Sequence, residues 1–217
     1  MRSASIEKNR CYAVSLEVAG PYAMWTDPAC GDAPVSYLVP TPSAIRGIFE
    51  AILFVPWAEI IPIRVEVCSP IKYSNLTFNY RGPLRKGQQI SKDAAYQAKW
   101  TVLQDVCYKL YAIPVGRPQY YNQSGKVITS NGAYFYQERF NRLLARGMYR
   151  IPPHLGCKEF DVWYCGPLRS NTFSCKEINL EIPTILDQMF HNRFTRSANP
   201  SFIQNVQVVE GVVNYAK

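Results

Sequence analysis

One local signal restricts the fold more than any other. Thr41-Pro42 is followed by Ile45, Ile48, Phe49 and Ile52 at helical spacing, which is the pattern of a side-chain N-cap, a proline at the first helical position and a single apolar face. It predicts a helix from Pro42 to about Phe54, ended by Pro56. Alternating runs flank it. In residues 11–19, Val14, Leu16 and Val18 share one side, as expected of a strand that opens the core sheet. Residues 59–68 supply a second run, whose Pro62 marks an edge position or a bulge. A chain that begins strand, helix, strand must bury its helix against a sheet.

The same kinds of element recur downstream. Residues 101–115 regain strand character, and 117–130 form a polar loop. A helix over 134–147 then places Tyr136, Phe140, Leu143 and Leu144 on one face, with Gly147 as its stop. Residues 157–165 are expected to be the last strand of the unit. The resulting order, strand-helix-strand-strand-helix-strand, is that of ferredoxin-like domains and of RNA-recognition folds. The fold class is therefore read as α+β: an RNA-recognition-like domain over residues 1–165 with an inserted segment at about 70–100. A small β-rich C-terminal subdomain is expected over 166–217, with strand-like runs at 178–182 and 203–213.

The 217 residues suffice to bury a core, and 47% apolar with 18% charged residues excludes a mainly disordered chain. No apolar run approaches the roughly 18 residues of a membrane span. Arg2, Glu7 and Lys8 stand where a secretory apolar region would lie, so a cytoplasmic protein without membrane contact is expected. The seven cysteines are widely spaced and lack the two-residue gaps of zinc sites, which reads as reduced, mostly buried thiols. His154 and His191 are the only histidines and suggest no metal by spacing. There is no phosphate-binding glycine loop, nucleophile elbow or HExxH pair, so no cofactor is expected and classical hydrolase or nucleotide-dependent chemistry lacks support.

Charge points to a polyanion. The formal net charge is +8 and the pI is near 9.1, and clustered Lys and Arg gain affinity for phosphates by releasing counterions. Residues 70–100 carry Lys72, Arg81, Arg85, Lys86, Lys92 and Lys99 against Asp93 alone, interleaved with Tyr73, Phe78, Tyr80, Tyr96 and Trp100. Cations for phosphate and ring faces for bases are the mixture that single-stranded RNA binding uses; the same rings also suit packing beneath an ordinary loop. Arg139, Arg142, Arg146 and Arg150 fall at i, i+3, i+7 and i+11, one basic stripe if the helix persists. A phosphate ladder and a solvated helix face both fit that spacing.

The segment 35–52, VSYLVPTPSAIRGIFEAI, resembles the signature of the Cas-five family of CRISPR-associated proteins in its type I-C (Dvulg subtype) form. In that family a run like S-Y-x-V-x-T-P-S-A-x-R-G-I-x-E-A-I opens the first helix. Gly20-Pro21-Tyr22-Ala23-Met24-Trp25-Thr26 is similar to the family's G-D-Y-A-x-F-T run, and Leu155-Gly156-Cys157-Lys158-Glu159-Phe160 to its L-G-x-R-E-F. The resemblance covers roughly residues 11–165. It implies a RAMP-type fold with a protruding basic hairpin, placed at 70–100, and binding of the 5′ handle of the CRISPR RNA (crRNA). The implied partners are the backbone and large subunits of the type I Cascade interference complex, with target DNA reached through that complex. Arg46, inside the signature, joins Lys72, Arg81, Arg85, Lys86, Lys92, Lys99, Arg139, Arg142, Arg146 and Arg150 as the expected RNA-binding set.

Many relatives also cut precursor crRNA without metal, activating a ribose 2′-OH against the adjacent phosphate. That chemistry needs a general base, a cation at the phosphorane and help for the leaving 5′ oxygen. Relatives that cut carry a Tyr or His near the end of the first helix and a Lys-His pair at the start of the second. Here the first position falls on Leu53, and the pair falls on Tyr134-Phe135 or Phe135-Tyr136. Neither keeps the Lys or the His, and an unperturbed Tyr, with a pKa of about 10, is a poor base at neutral pH. The resemblance thus implies a handle-binding subunit first and a metal-independent endoribonuclease as the alternative. In the alternative, Tyr136 would be base or orienter and His154 an acid, with Arg139 or Lys158 at the phosphate.

Overall fold

The computed structural model describes residues 10–31, 33–80, 96–116, 132–189 and 198–215. Among them, helix α1 spans Pro42–Ile52 and α2 Gly132–Ala145. The strands are β1 (Val14–Ala23), β2 (Ala58–Val67), β3 (Tyr73–Tyr80), β4 (Tyr96–Gly116), β5 (Tyr164–Gly166), β6 (Leu180–Gln188), β7 (Ser201–Val209) and β8 (Val212–Asn214). They form one antiparallel sheet in the order β5-β1-β4-β2-β8-β7-β6, with β3 paired to β4 outside that path. The stretch β5-β1-β4-β2 puts the first strand of the unit between its last and third, the arrangement of a split βαβ. Through the β2–β8 pairing, β7 and β6 extend the same sheet.

The helix signals act as read. Thr41 Oγ1 accepts the Ala44 N–H at 3.2 Å, and Ile45, Ile48, Phe49 and Ile52 are buried. The helix ends two residues early because Leu53 is already extended, with φ −139°. α2 stops at a Schellman turn: Met148 N–H donates to Leu143 O at 3.0 Å and Gly147 N–H to Leu144 O at 3.1 Å, with Gly147 at φ 62°. Both helices lie on one face of the sheet, joined by the Phe49–Phe140 ring contact at 5.3 Å over Leu16, Val18 and Leu110. Each such buried side chain stabilises the fold by about 1.5–3 kcal/mol.

Two expectations change. Residues 157–165 do not form a continuous strand; only Tyr164–Gly166 pairs with β1. The preceding residues close a loop in which Leu155 N–H donates to Phe160 O at 2.9 Å, so Leu155 and Phe160 enter the core as plugs. Within the segment read as an insertion, residues 73–80 pair with residues 96–103 as strands, from Tyr73↔Leu103 to Tyr80↔Tyr96. The four-arginine stripe also breaks: α2 ends at Ala145, so Arg150 leaves the helix. Pro62, by contrast, sits at a register shift between Pro62 and Arg64, the bulge that lets a proline occupy an internal strand.

Candidate nucleic-acid interface

β3 and the start of β4 form a two-stranded arm. Lys72 and Lys99 are exposed on it, while Arg81, Arg85, Lys86 and Lys92 lie outside the described residues, as does His191. The aromatic residues divide. Phe78 and Trp100 pack on each other at 4.4 Å, and each meets Phe160 at 6.4 Å. These two rings therefore belong to the base of the arm. Tyr73 remains half exposed, with its hydroxyl donating to Ser36 O at 3.2 Å.

Two of the short motifs meet beneath that base. Met24 N–H donates to Leu155 O at 2.9 Å, and the Tyr22 ring lies 6.1 Å from Phe160. Gly156 has φ 97°, and a Cβ there would come within 1.8 Å of Met24 O, so only glycine fits. The G-P-Y-A and L-G-C-K-E-F stretches are two halves of one clasp holding the arm. His154 stands at its edge, with Nδ1 buried and 3.5 Å from Asp161 Oδ1; Lys158 is exposed.

The sheet face opposite the helices is covered at its centre, while on the same face Arg64 stays exposed and Tyr111 half-buried. RNA-recognition folds stack bases on aromatic residues of this face. Here its central strands carry Glu17, Cys107 and Lys109 under a strap of residues 167–176. Glu17 is fully buried. It accepts from the Arg169 guanidinium at 2.6 and 2.7 Å, the Arg169 N–H at 2.8 Å and Thr172 Oγ1 at 2.9 Å. Lys109 Nζ donates to the Arg169 and Thr172 carbonyls at 3.2 and 2.7 Å. Burial alone would raise the Glu17 pKa, but these donors outweigh it and hold the carboxyl below its ordinary range. Sequence reading missed this anchor, although a lone carboxylate in the apolar run 11–19 was the available signal.

The outer side of α2 and its junction with α1 are open as well. Phe135, Arg139 and Arg142 share one exposed side of the helix by their spacing, and Arg146 is exposed in the closing turn. Arg150, instead of extending that row, is drawn to the end of α1. Its N–H donates to Ile52 O at 3.3 Å, Nε to Glu50 O at 3.4 Å, and Cζ lies 5.4 Å from the centre of the Phe54 ring. A cation at a helix C-terminus is favoured by the helix dipole. Arg46 is half-buried, with Nε donating to Ile60 O at 3.0 Å, and lines an open groove of about 950 Å³ beside Glu59, Asp187 and Phe202. Among the described residues no cluster of His, Cys, Asp and Glu is arranged to hold a metal ion, and no helix is long and apolar enough to cross a membrane.

Residues 13–205 match the family model described as CRISPR-associated protein (Cas_Cas5), of the Cas5d type. The chain belongs to the Cas5 family. A Thermus thermophilus protein named CRISPR pre-crRNA endoribonuclease Cas5d is 34% identical over 156 residues, 71% of this chain; the match spans 64% of that relative's length. A second protein of the same name, from Mannheimia succiniciproducens, is 25% identical over an alignment covering 93% of each. Among solved structures, one described as a CRISPR-associated protein superposes with a TM-score of 0.67 at 20% identity, over 94% of this chain and 92% of the other. A chain from a CRISPR RNA-guided surveillance complex superposes at 0.53 and 13% identity, covering 94% and 91%. At these identities both show the same fold.

In this Cas5 chain two of the positions expected to carry RNA cleavage, Leu53 and Tyr136, come together, whereas His154 lies in the clasp beside Asp161. Tyr136 is buried, and its hydroxyl donates to Leu53 O at 3.0 Å, joining the end of α1 to the start of α2. The Tyr136 hydroxyl is thereby committed to a backbone carbonyl, while Tyr134 and Phe135 are about half exposed. The Cas5 signature itself is mostly structural: Ser36 Oγ accepts the Trp25 N–H at 2.9 Å, and Pro40 O accepts the Tyr215 hydroxyl at 2.6 Å.

Proposed function

We propose that this Cas5 protein holds the 5′ handle of CRISPR RNA as a subunit of a type I-C Cascade surveillance complex in the cytoplasm. Its partners in this reading are the backbone and large subunits, with target DNA engaged through the assembly. The observation that carries the reading is the family match over residues 13–205. In this reading the strap over the centre of the sheet turns the RNA toward surfaces other than the one used by RNA-recognition folds. It leaves the exposed cations Arg139, Arg142, Arg146 and Arg150, together with Lys72 and Lys99 on the arm, as phosphate contacts. The arm is the family's inserted basic hairpin, and Arg46 braces α1 against β2.

A second reading, metal-independent cleavage of precursor RNA, is favoured by the names of the two curated relatives. Against it stands the commitment of the Tyr136 hydroxyl to Leu53 O, with neither Lys nor His at the start of α2. One experiment separates the two. The purified protein is incubated with its own labelled repeat RNA in EDTA at low and moderate salt, and binding and cleavage are followed in the same samples. Specific, salt-sensitive binding without product supports the handle-binding subunit. A single cut leaving a 2′,3′-cyclic phosphate establishes the nuclease, and equal affinity for unrelated RNA rejects both.

A further inference from the structure

Cys68 and Cys107 face each other across the base of the arm. The β2–β4 register runs to Val67↔Tyr108, which makes Cys68 and Cys107 the next opposed pair, and Cys68 N–H donates to Cys107 O at 2.8 Å. Side chains alternate along a strand. Because Glu66 and Lys109 are opposed, Cys68 and Cys107 share their face of the sheet. Opposed residues of a hydrogen-bonded antiparallel pair have Cα atoms about 5.5 Å apart, within the roughly 4.4–6.8 Å that a disulfide spans. Both thiols are free, Cys68 half-buried and Cys107 buried.

The surroundings favour reaction at this pair. Arg169 Nη2 donates to Cys107 Sγ at 3.7 Å, and Cys107 Sγ donates to Glu17 Oε1 at 3.5 Å. A thiol hydrogen bond from Cys68 holds Cys107 below its usual pKa range, against the opposing effects of burial and Glu17. Cys68 is raised correspondingly. A thiol pair in which one sulfur is drawn toward thiolate is the starting point of disulfide formation. The chain between the two cysteines contains the whole arm, β3 and the first part of β4.

We propose that Cys68 and Cys107 are a peroxide-sensitive cross-strand dithiol whose oxidation staples the base of the β3–β4 arm. Peroxide oxidises one sulfur to a sulfenic acid, releasing water. The other thiol condenses with it, releasing a second water and forming the S–S bond. Two thiols and one hydrogen peroxide thus become one disulfide and two waters, with two electrons passing from sulfur to the peroxide oxygens. The reducing thiol pool reverses the step. Cys175, whose N–H donates to Val67 O at 2.8 Å, is the neighbouring thiol that could compete for either sulfur.

The full chain is freed of reductant, exposed to a small excess of hydrogen peroxide, blocked with N-ethylmaleimide and digested without reduction for mass spectrometry. The expected product is a Cys68–Cys107 linked peptide, two hydrogens lighter than its parts, that dithiothreitol removes. Amide exchange in Tyr73–Tyr80 should slow by about tenfold in the oxidised protein. Cys68→Ser should lose both effects; Cys107→Ser provides a second test if the first variant folds poorly. Linkage of either cysteine to Cys175, or oxidation confined to Cys11 and Cys30, would overturn the pairing. A correct link without slower exchange would overturn the staple.

Discussion

Replacing Arg169 with alanine tests how the strap is anchored to the centre of the sheet. Glu17 is fully buried, whereas the Arg169 side chain is 37% exposed, so the two partners are not equivalent. Removing the guanidinium strands a carboxylate in the interior, a loss that costs about 3–5 kcal/mol when a buried pair is broken. The backbone N–H at position 169 and Thr172 Oγ1 still donate to Glu17, which places the expected cost near the lower end, about 3 kcal/mol. For a chain of this size that is a Tm lower by roughly 6–12 °C at pH 7.5. Glu17→Gln releases an arginine that can rehydrate and should cost less, about 1–2 kcal/mol. The pH dependence is distinctive. In the wild type the Glu17 pKa is depressed, so its stabilisation is present above the unfolded carboxylate value of about 4.3 and is lost as pH falls through the lower folded value. In Arg169→Ala, burial outweighs the remaining donors, Glu17 takes up a proton at higher pH, and the gap to wild type narrows between pH 7.5 and pH 4.5. Urea melts at both pH values measure this. A variant within about 1 kcal/mol of wild type at pH 7.5, or a gap that widens in acid, would refute the account.

Phe160→Ala removes the ring on which Phe78 and Trp100 rest; it should cost about 3–5 kcal/mol in urea melts and speed amide exchange in β3 first. Tyr136→Phe removes the donor to Leu53 O and should cost about 1–3 kcal/mol of stability. RNA affinity, and any cleavage the wild type shows, should be unchanged; loss of cleavage with the fold intact would restore a catalytic role. Replacing Arg139, Arg142 and Arg146 together by alanine should flatten the log–log salt dependence of repeat-RNA binding by about 2, at about 0.7 per phosphate on a single strand. An unchanged slope would remove the outer side of α2 from the interface.

The sequence determined the parts of this protein whose causes are local. Thr41 and Pro42 start α1 wherever the rest of the chain lies, and Gly147 stops α2, because capping bonds and φ preferences act within a few residues. The alternation in β1 and the bulge at Pro62 were legible for the same reason, and the signature around α1 sufficed to suggest the family. Tertiary structure alone decided what each polar or aromatic side chain faces. Phe78 and Trp100 looked like base-stacking rings until Phe160, sixty residues further on, packed against them. Arg150 fits a helical row by spacing, but the terminal carbonyls of α1 draw it elsewhere. Glu17 is a single letter in an apolar strand, and its partner Arg169 is separated from it by most of the chain. Burial, register and long-range pairing are set by contacts between distant segments, and these decide which cations stay open to solvent.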